Sequence, residues 1–112
     1  MKNEDDLKLN EIDRVIHEPA RLSIMIHLSI LQEADFTYLL YRTKLSRGNL
    51  SVQLQKLEGV GYIKIKKKFV KRMPRTMVSL SEKGKEALDH YRKHILEVLG
   101  MPGVESEDSP LP

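Results

Sequence analysis

Between Arg47 and Gln55 the chain sets out a guanidinium (Arg47), carboxamides (Asn49 and Gln55), a hydroxyl (Ser51) and a branched apolar side chain (Val52). No base or thiol stands among them to make a nucleophile, so the chemistry on offer is recognition through hydrogen bonds and methyl contact. These groups match the edges that base pairs present in a DNA major groove. Arg47 can bridge guanine O6 and N7, Asn49 or Gln55 can pair with adenine, Ser51 can donate or accept, and Val52 can meet a thymine methyl. Plainer uses exist: Asn49 can hold a helix start, and Arg47 can bind phosphate without reading sequence. Gln53 flanks the neighbouring apolar stripe and reads as a packing residue.

To act together these side chains must share one helix, and the local signals supply it. Ser46 is a strong N-cap, with Leu45 and Leu50 as the apolar pair that fixes the entry of the chain. Leu50, Leu54 and Leu57 recur at i, i+4, i+7 and form a narrow buried stripe. Gly61 falls where a left-handed closing residue is wanted, with Tyr62 able to touch Leu57. The helix is about three and a half turns long. Its other faces are small and polar rather than a run of Glu and Lys, as suits a reading surface.

The formal net charge of the 112-residue chain is only +3, but its distribution is uneven. Residues 42–75 hold eleven cations against the single acid Glu58, and the remainder is acidic. A one-sign block of this kind is a footprint for a polyanion. The absence of cysteine excludes disulfides, thiolate catalysis and Cys-based zinc sites. No Ser-His-Asp set, paired carboxylates or phosphate-cradling loop is present, which argues against an enzyme. No long apolar run or signal-peptide pattern occurs, so a soluble cytoplasmic protein with no membrane partner is expected. The length suggests one domain over residues 1–100, followed by a disordered acidic tail over 101–112.

Leu9, Ile12, Val15 and Ile16 predict a first helix up to His17. Pro19 opens a second, to about Leu31, which is apolar on more than one side and so should be buried at the centre. Phe36 predicts a short edge strand, and Thr37 caps a third helix over Tyr38–Thr43 with Leu39 and Leu40 inward. Only Thr43 to Leu45 separates it from the Ser46 helix, which makes a helix-turn-helix. Beyond Gly61 the period changes to two: Ile63 and Ile65, then Val78 and Leu80, predict two antiparallel strands joined by a cationic tip from Val70 to Arg75. Lys66, Lys68, Lys71, Arg72 and Arg75 on this wing suit the DNA backbone or the minor groove. Thr37, Tyr38, Arg42 and Lys44 are candidate phosphate contacts. Ser81 caps a last helix whose stripe of Leu88, Tyr91, Ile95 and Val98 exceeds what a small core needs, and so predicts a partner. His90, His94 and Glu97 share one side of that helix at a spacing that can bind a divalent metal, although a solvated interface rim fits them better.

Four segments carry a resemblance: Pro19-Ala-Arg; the run from Leu45-Ser-Arg-Gly-Asn-Leu-Ser to Gly-Tyr-Ile63; Phe69-Val-Lys-Arg-Met-Pro-Arg-Thr; and Leu80-Ser-Glu-Lys-Gly. Together they resemble small winged-helix transcriptional regulators related to the MarR and ArsR groups, over roughly residues 10 to 97. Lys44 and Lys71 stand where such proteins often have glycine, and Gln53 where many carry His. The resemblance implies an α+β winged helix-turn-helix with a three-helix core, a two-stranded β-wing and a long C-terminal helix for dimerisation. It implies a homodimer joined through the first and last helices, with Ile12 and Val15 beside the stripe of the last, and the Ser46 helix in the major groove of double-stranded DNA. No cofactor is implied, and an effector is left open. Some ArsR-like repressors sense metals at the last helix. The expected function is sequence-specific regulation of transcription, as a repressor at a pseudo-palindromic operator. A protein-interaction module in a larger assembly is the alternative, since fold alone does not settle function.

Overall fold

Asp13 decides how the visible chain begins. The computed structural model describes residues 11–100, so the acidic tail and the start of the first expected helix lie outside the described residues. Within them, residues 11–17 form turns rather than helix. Asp13 Oδ1 accepts from the amides of Val15 (2.9 Å) and Ile16 (3.1 Å), and the Glu18 amide turns back to Ile16 O at 2.7 Å. An aspartate that captures the amides after it competes with the helical ladder. Ile12 and Ile16 still enter the core, so their spacing reported burial rather than backbone.

Helix α1 (Pro19–Leu31) has the expected bounds, with Pro19 in the first turn and the Glu18 side chain accepting from Arg21 N at 2.9 Å. Its burial is one-sided. Ile24, Met25 and Leu28 are fully buried, whereas Ile26 and Ile30 are 43% and 73% exposed, which corrects the expectation of a helix buried all round. The strand that follows, β1 (Glu33–Asp35), precedes Phe36 instead of containing it. Helix α2 (Phe36–Thr43) is capped by Asp35, which accepts from Tyr38 N at 2.6 Å, and not by Thr37.

Helix α3 (Arg47–Gly59) begins at Ser46, whose Oγ accepts from Asn49 N at 3.1 Å. It ends in a Schellman closure. Gly61 takes φ 82°, its amide reaches Glu58 O at 2.9 Å, and the Tyr62 amide reaches Leu57 O at 3.0 Å. Strands β2 (Ile63–Val70) and β3 (Met73–Leu80) then pair over their whole length, with β1 on the other side of β3, giving a three-stranded antiparallel sheet in the order β1-β3-β2. The third strand is the short edge strand expected at Phe36, formed by the three residues before it. Val70 pairs with Met73, so the tip is only Lys71 and Arg72, at φ 53° and 69°. Two left-handed residues make the I′-type turn that matches strand twist, a conformation glycine and asparagine adopt more readily. Helix α4 (Glu82–Leu99) closes the fold, capped by Ser81 accepting from Gly84 N at 2.9 Å.

The core lies where α1, α2 and α3 meet the sheet: Ile16, Ile24, Met25, Leu28, Leu39, Leu50, Leu57 and Val78 are fully buried. Among the described residues four helices and one small sheet thus form a winged helix-turn-helix. Its α2–turn–α3 unit and its β2–β3 wing project from one core.

Candidate nucleic-acid interface

The side chains singled out on α3 divide cleanly. Leu50, Leu54 and Leu57 point into the core, and Arg47, Gly48, Asn49, Ser51, Val52 and Gln55 are all exposed. The structure therefore brings Arg47, Asn49, Ser51, Val52 and Gln55 onto the uncovered surface of one helix, concentrated toward its N-terminus, the geometry by which a recognition helix meets base edges.

The turn before α3 is held by local bonds. Lys44 closes α2 in the left-handed region (φ 61°) with its amide on Leu40 O at 3.1 Å, and Thr43 Oγ1 donates to Leu39 O at 2.7 Å. Around this turn each cation lies over an aromatic ring: Arg42 over Tyr38 (5.8 Å), Lys44 over Tyr41 (5.3 Å) and Arg47 over Phe36 (5.5 Å). Arg42 Nη1 also donates to Tyr38 Oη at 3.2 Å. Such stacking restrains long side chains before any ligand arrives. Thr37, Tyr38, Arg42 and Lys44 are exposed on the same unit.

On the wing the register sorts the cations by face. Lys64, Lys66 and Lys68 oppose Ser79, Met77 and Arg75, on the side shared with Glu33 and Asp35 of β1. Lys68 Nζ pairs with Glu33 at 3.0 Å, and Arg75 lies 4.0 Å from Asp35. The short edge strand β1 thus offsets Lys68 and Arg75, two of the seven cations between Ile63 and Leu80, and leaves Lys64, Lys66, Lys67, Lys71 and Arg72 carrying the field. Phe69 (78% exposed), Val70 and Met73 stand bare beside the tip. Sequence reasoning missed this apolar feature, whose only signal was Phe69 and Met73 interrupting a run of charge.

Two more residues were undervalued. Arg21, the only formal charge in α1, is 13% exposed and reaches Gln53 Oε1 at 2.7 Å, and Gln53 Nε2 reaches Asn49 Oδ1 at 2.9 Å. Behind them, Tyr62 Oη donates to Asp13 Oδ2 at 2.6 Å, and burial, reinforced by the Asp13 hydrogen bond and charge, pushes the Tyr62 phenol up to about 12. Tyr91 Oη lies 2.7 Å from His17 Nδ1, and burial together with the Asp13 charge raises its pKa as well. The turn over residues 13–17 thereby ties the end of α3 to α4.

The residues expected at a dimer interface are placed unevenly. Ile12 and Tyr91 belong to the protomer's own core, against which Val15, Leu88 and Ile95 also pack; Val98 is half-buried. On α1 and α4 the apolar side chains left uncovered are Ile26, Ile30 and Leu31 of the first helix and Leu96 and Leu99 of the second. Between these helices runs a groove of about 750 Å³ lined by Leu22, Ile26, Leu88, Ile95 and Leu96, among others. His94 is buried rather than rimming a surface, with its ring 6.1 Å from that of His90. Among the described residues no group of three or more His, Asp or Glu is placed to hold a metal ion. No helix among them is long and apolar enough to cross a membrane.

Gly48 offers a direct test of the exposed face. A Cβ there would meet nothing within 4 Å, so the protomer gains nothing from the missing side chain. Gly48→Ala is expected to stabilise the isolated protein by up to about 1 kcal/mol, through helix propensity. It is expected to weaken DNA binding, because the methyl would hold the helix backbone off the groove. Thermal melting and duplex titration of the same sample report the two opposite signs.

A fold and surface of this kind define a DNA-binding regulator, and comparison with known proteins agrees. Residues 20–99 match the model of the winged helix DNA-binding domain family, and the chain belongs to that family. It is 31% identical over 85 residues to an uncharacterised protein of Methanocaldococcus jannaschii, covering 76% of this chain and 92% of that one. A transcriptional regulator homologue from Pyrococcus horikoshii OT3 superposes with a TM-score of 0.81 at 29% identity, over 89% of this chain and 99% of its own. The transcriptional repressor CouR, solved bound to a 23-mer DNA duplex, shares the fold with a TM-score of 0.68 at 21% identity, over 90% and 74% of the two chains. Among similar folds are MarR-family regulators such as one from Silicibacter pomeroyi, with a TM-score of 0.61 at 15% identity over 89% and 70%.

Proposed function

We propose that the protein is a homodimeric, sequence-specific repressor that inserts α3 into the major groove of duplex DNA and occludes a promoter. The observation that carries this reading is the exposed polar face of α3, from Arg47 to Gln55, standing beside a wing whose tip is cationic. The uncovered residues Ile26, Ile30, Leu96 and Leu99 support a symmetric partner, because apolar residues gathered on two adjacent helices favour self-association. A dimer implies a pseudo-palindromic site with half-site centres one helical turn apart, about 10 bp. The DNA-bound repressor of the same fold supports the sign of regulation, and archaeal relatives support a prokaryotic host and work in its cytoplasm. Bare Phe69, Val70 and Met73 favour a second reading, a protein-docking module. Interleaved with Lys68, Lys71 and Arg72, they fit an apolar wedge at a minor groove better.

The test separates the reading helix from the wing. Arg47→Ala is expected to cost about 1 to 3 kcal/mol on the cognate duplex and much less on a scrambled one. Arg72→Ala removes a charge at the tip, and should weaken both duplexes by similar factors while making the salt slope shallower by about one unit. If the wing variant loses specificity and Arg47→Ala keeps it, the roles are reversed and the wing reads a narrow minor groove. Ultracentrifugation at micromolar concentration showing only a 13.0 kDa species would remove the dimer.

A further inference from the structure

Asn49 carries a carboxamide whose two ends have opposite hydrogen-bonding character, so its meaning to a base pair depends on which end faces outward. The surrounding bonds decide this. Arg21 Nε donates to Val15 O at 2.6 Å, which anchors the guanidinium to the backbone of the turn preceding α1. From there Nη1 donates to Gln53 Oε1 at 2.7 Å. A guanidinium has donors only, so Gln53 must turn its oxygen toward Arg21 and its nitrogen away. That nitrogen donates to Asn49 Oδ1 at 2.9 Å, which turns the Asn49 oxygen along the helix and leaves Nδ2 with no hydrogen bond among the described residues. The polarity of the whole chain is set by its first member.

We propose that Arg21 and Gln53 are positioning residues that hold Asn49 with its donor end toward the DNA, and so determine which bases it accepts. This rests on α3 being the reading helix. A donor-out amide is complementary to acceptors on the major-groove edge: guanine O6 and N7, or thymine O4. Adenine is disfavoured, since the usual amide pair with adenine needs the oxygen as well as the nitrogen. Neither Arg21 nor Gln53 touches a base in this arrangement; each acts through Asn49.

The consequence is an inversion that packing alone would not produce. In Gln53→Glu a carboxylate can accept from Arg21 with one oxygen and from Asn49 Nδ2 with the other, turning Asn49 Oδ1 outward. The preferred partner then changes to a base that donates, adenine through N6 or cytosine through N4. Gln53→Leu imposes neither orientation. The experiment determines relative affinities of the full chain for duplexes carrying all four base pairs at each half-site position, with a scrambled duplex as reference and thermal melting to confirm folding. Asn49→Ala identifies the base pair that Asn49 reads by flattening preference there. At that position the unsubstituted chain should favour guanine or thymine by roughly 3- to 10-fold, Gln53→Leu should lose the preference, and Gln53→Glu should reverse it toward adenine or cytosine. Uniform repulsion of DNA by the new carboxylate cancels in these ratios. An unchanged preference in Gln53→Glu, or no position flattened by Asn49→Ala, overturns the assignment while leaving α3 as the reader. A flat profile for the unsubstituted chain removes the reading-helix proposal and this one together.

Discussion

Affinity for duplex DNA is expected to fall roughly 10³- to 10⁵-fold between 50 and 200 mM salt, the response of a complex that neutralises on the order of 6 to 10 phosphates. Each bound cation releases condensed counterions, so the slope counts contacts rather than nominal charge. Of the wing cations Lys68 and Arg75 already face Glu33 and Asp35, and should contribute less than Lys66, Lys71 and Arg72. Arg42, Lys44 and Arg47 stand over aromatic rings around the helix-turn-helix, where they lose little further freedom on binding. In the proposed dimer, a few such contacts from each copy reach the stated range. Fluorescence anisotropy across a salt series measures the slope, and a flat response would sink the DNA reading.

The largest effect on stability is expected at Gly84. This residue is buried at the start of α4, where the chain passes against the backbone of Tyr62. A Cβ built there would stand 2.0 Å from the Tyr62 carbonyl oxygen and 2.8 Å from its carbon. Backbone cannot rotate aside as a side-chain tip can, so either α4 or the Tyr62 segment must move. The Tyr62 segment is committed on both sides: its amide completes the closure of α3 on Leu57 O, and its carbonyl accepts from Ser81 N at 3.0 Å. Gly84→Ala is therefore expected to cost about 3 kcal/mol or more, lowering the melting temperature by roughly 12 °C or more. Gly59→Ala is the matched control, since a Cβ there meets nothing within 4 Å and should change little. Equal melting temperatures for the two variants would show that the approach of α4 to Tyr62 is not as tight as drawn.

The sequence by itself determined the features whose causes lie within a few residues. Ser46 and Ser81 cap their helices through their own hydroxyls, Pro19 opens α1, and Gly61 closes α3, because capping is settled by bonds two to five positions apart. The change from helical to alternating period located both wing strands, and the partition of α3 into a leucine stripe and a polar face followed from helical spacing. The family motifs lie on these same local elements, which is why the class of protein was legible before the fold.

Tertiary structure decided whatever depends on distant neighbours. Periodicity marked Ile12 and Ile16 as buried but could not show that Asp13 would take their helix apart by capturing two amides. The hydrophobicity of α1 did not reveal which side would find cover, because cover comes from the other elements packed on it, and these leave Ile26 and Ile30 exposed. Three residues became β1 only because β3 offered an unpaired edge, and that pairing is what brings Glu33 and Asp35 to the wing cations. Tyr91 read as surplus apolar surface until His17, 74 positions away, met its hydroxyl. Gln53 read as packing until Arg21, 32 positions away on another helix, reached its oxygen. A hydrogen bond across such a separation leaves no periodic trace, so the orientation of the Asn49 amide is a property of the folded chain alone.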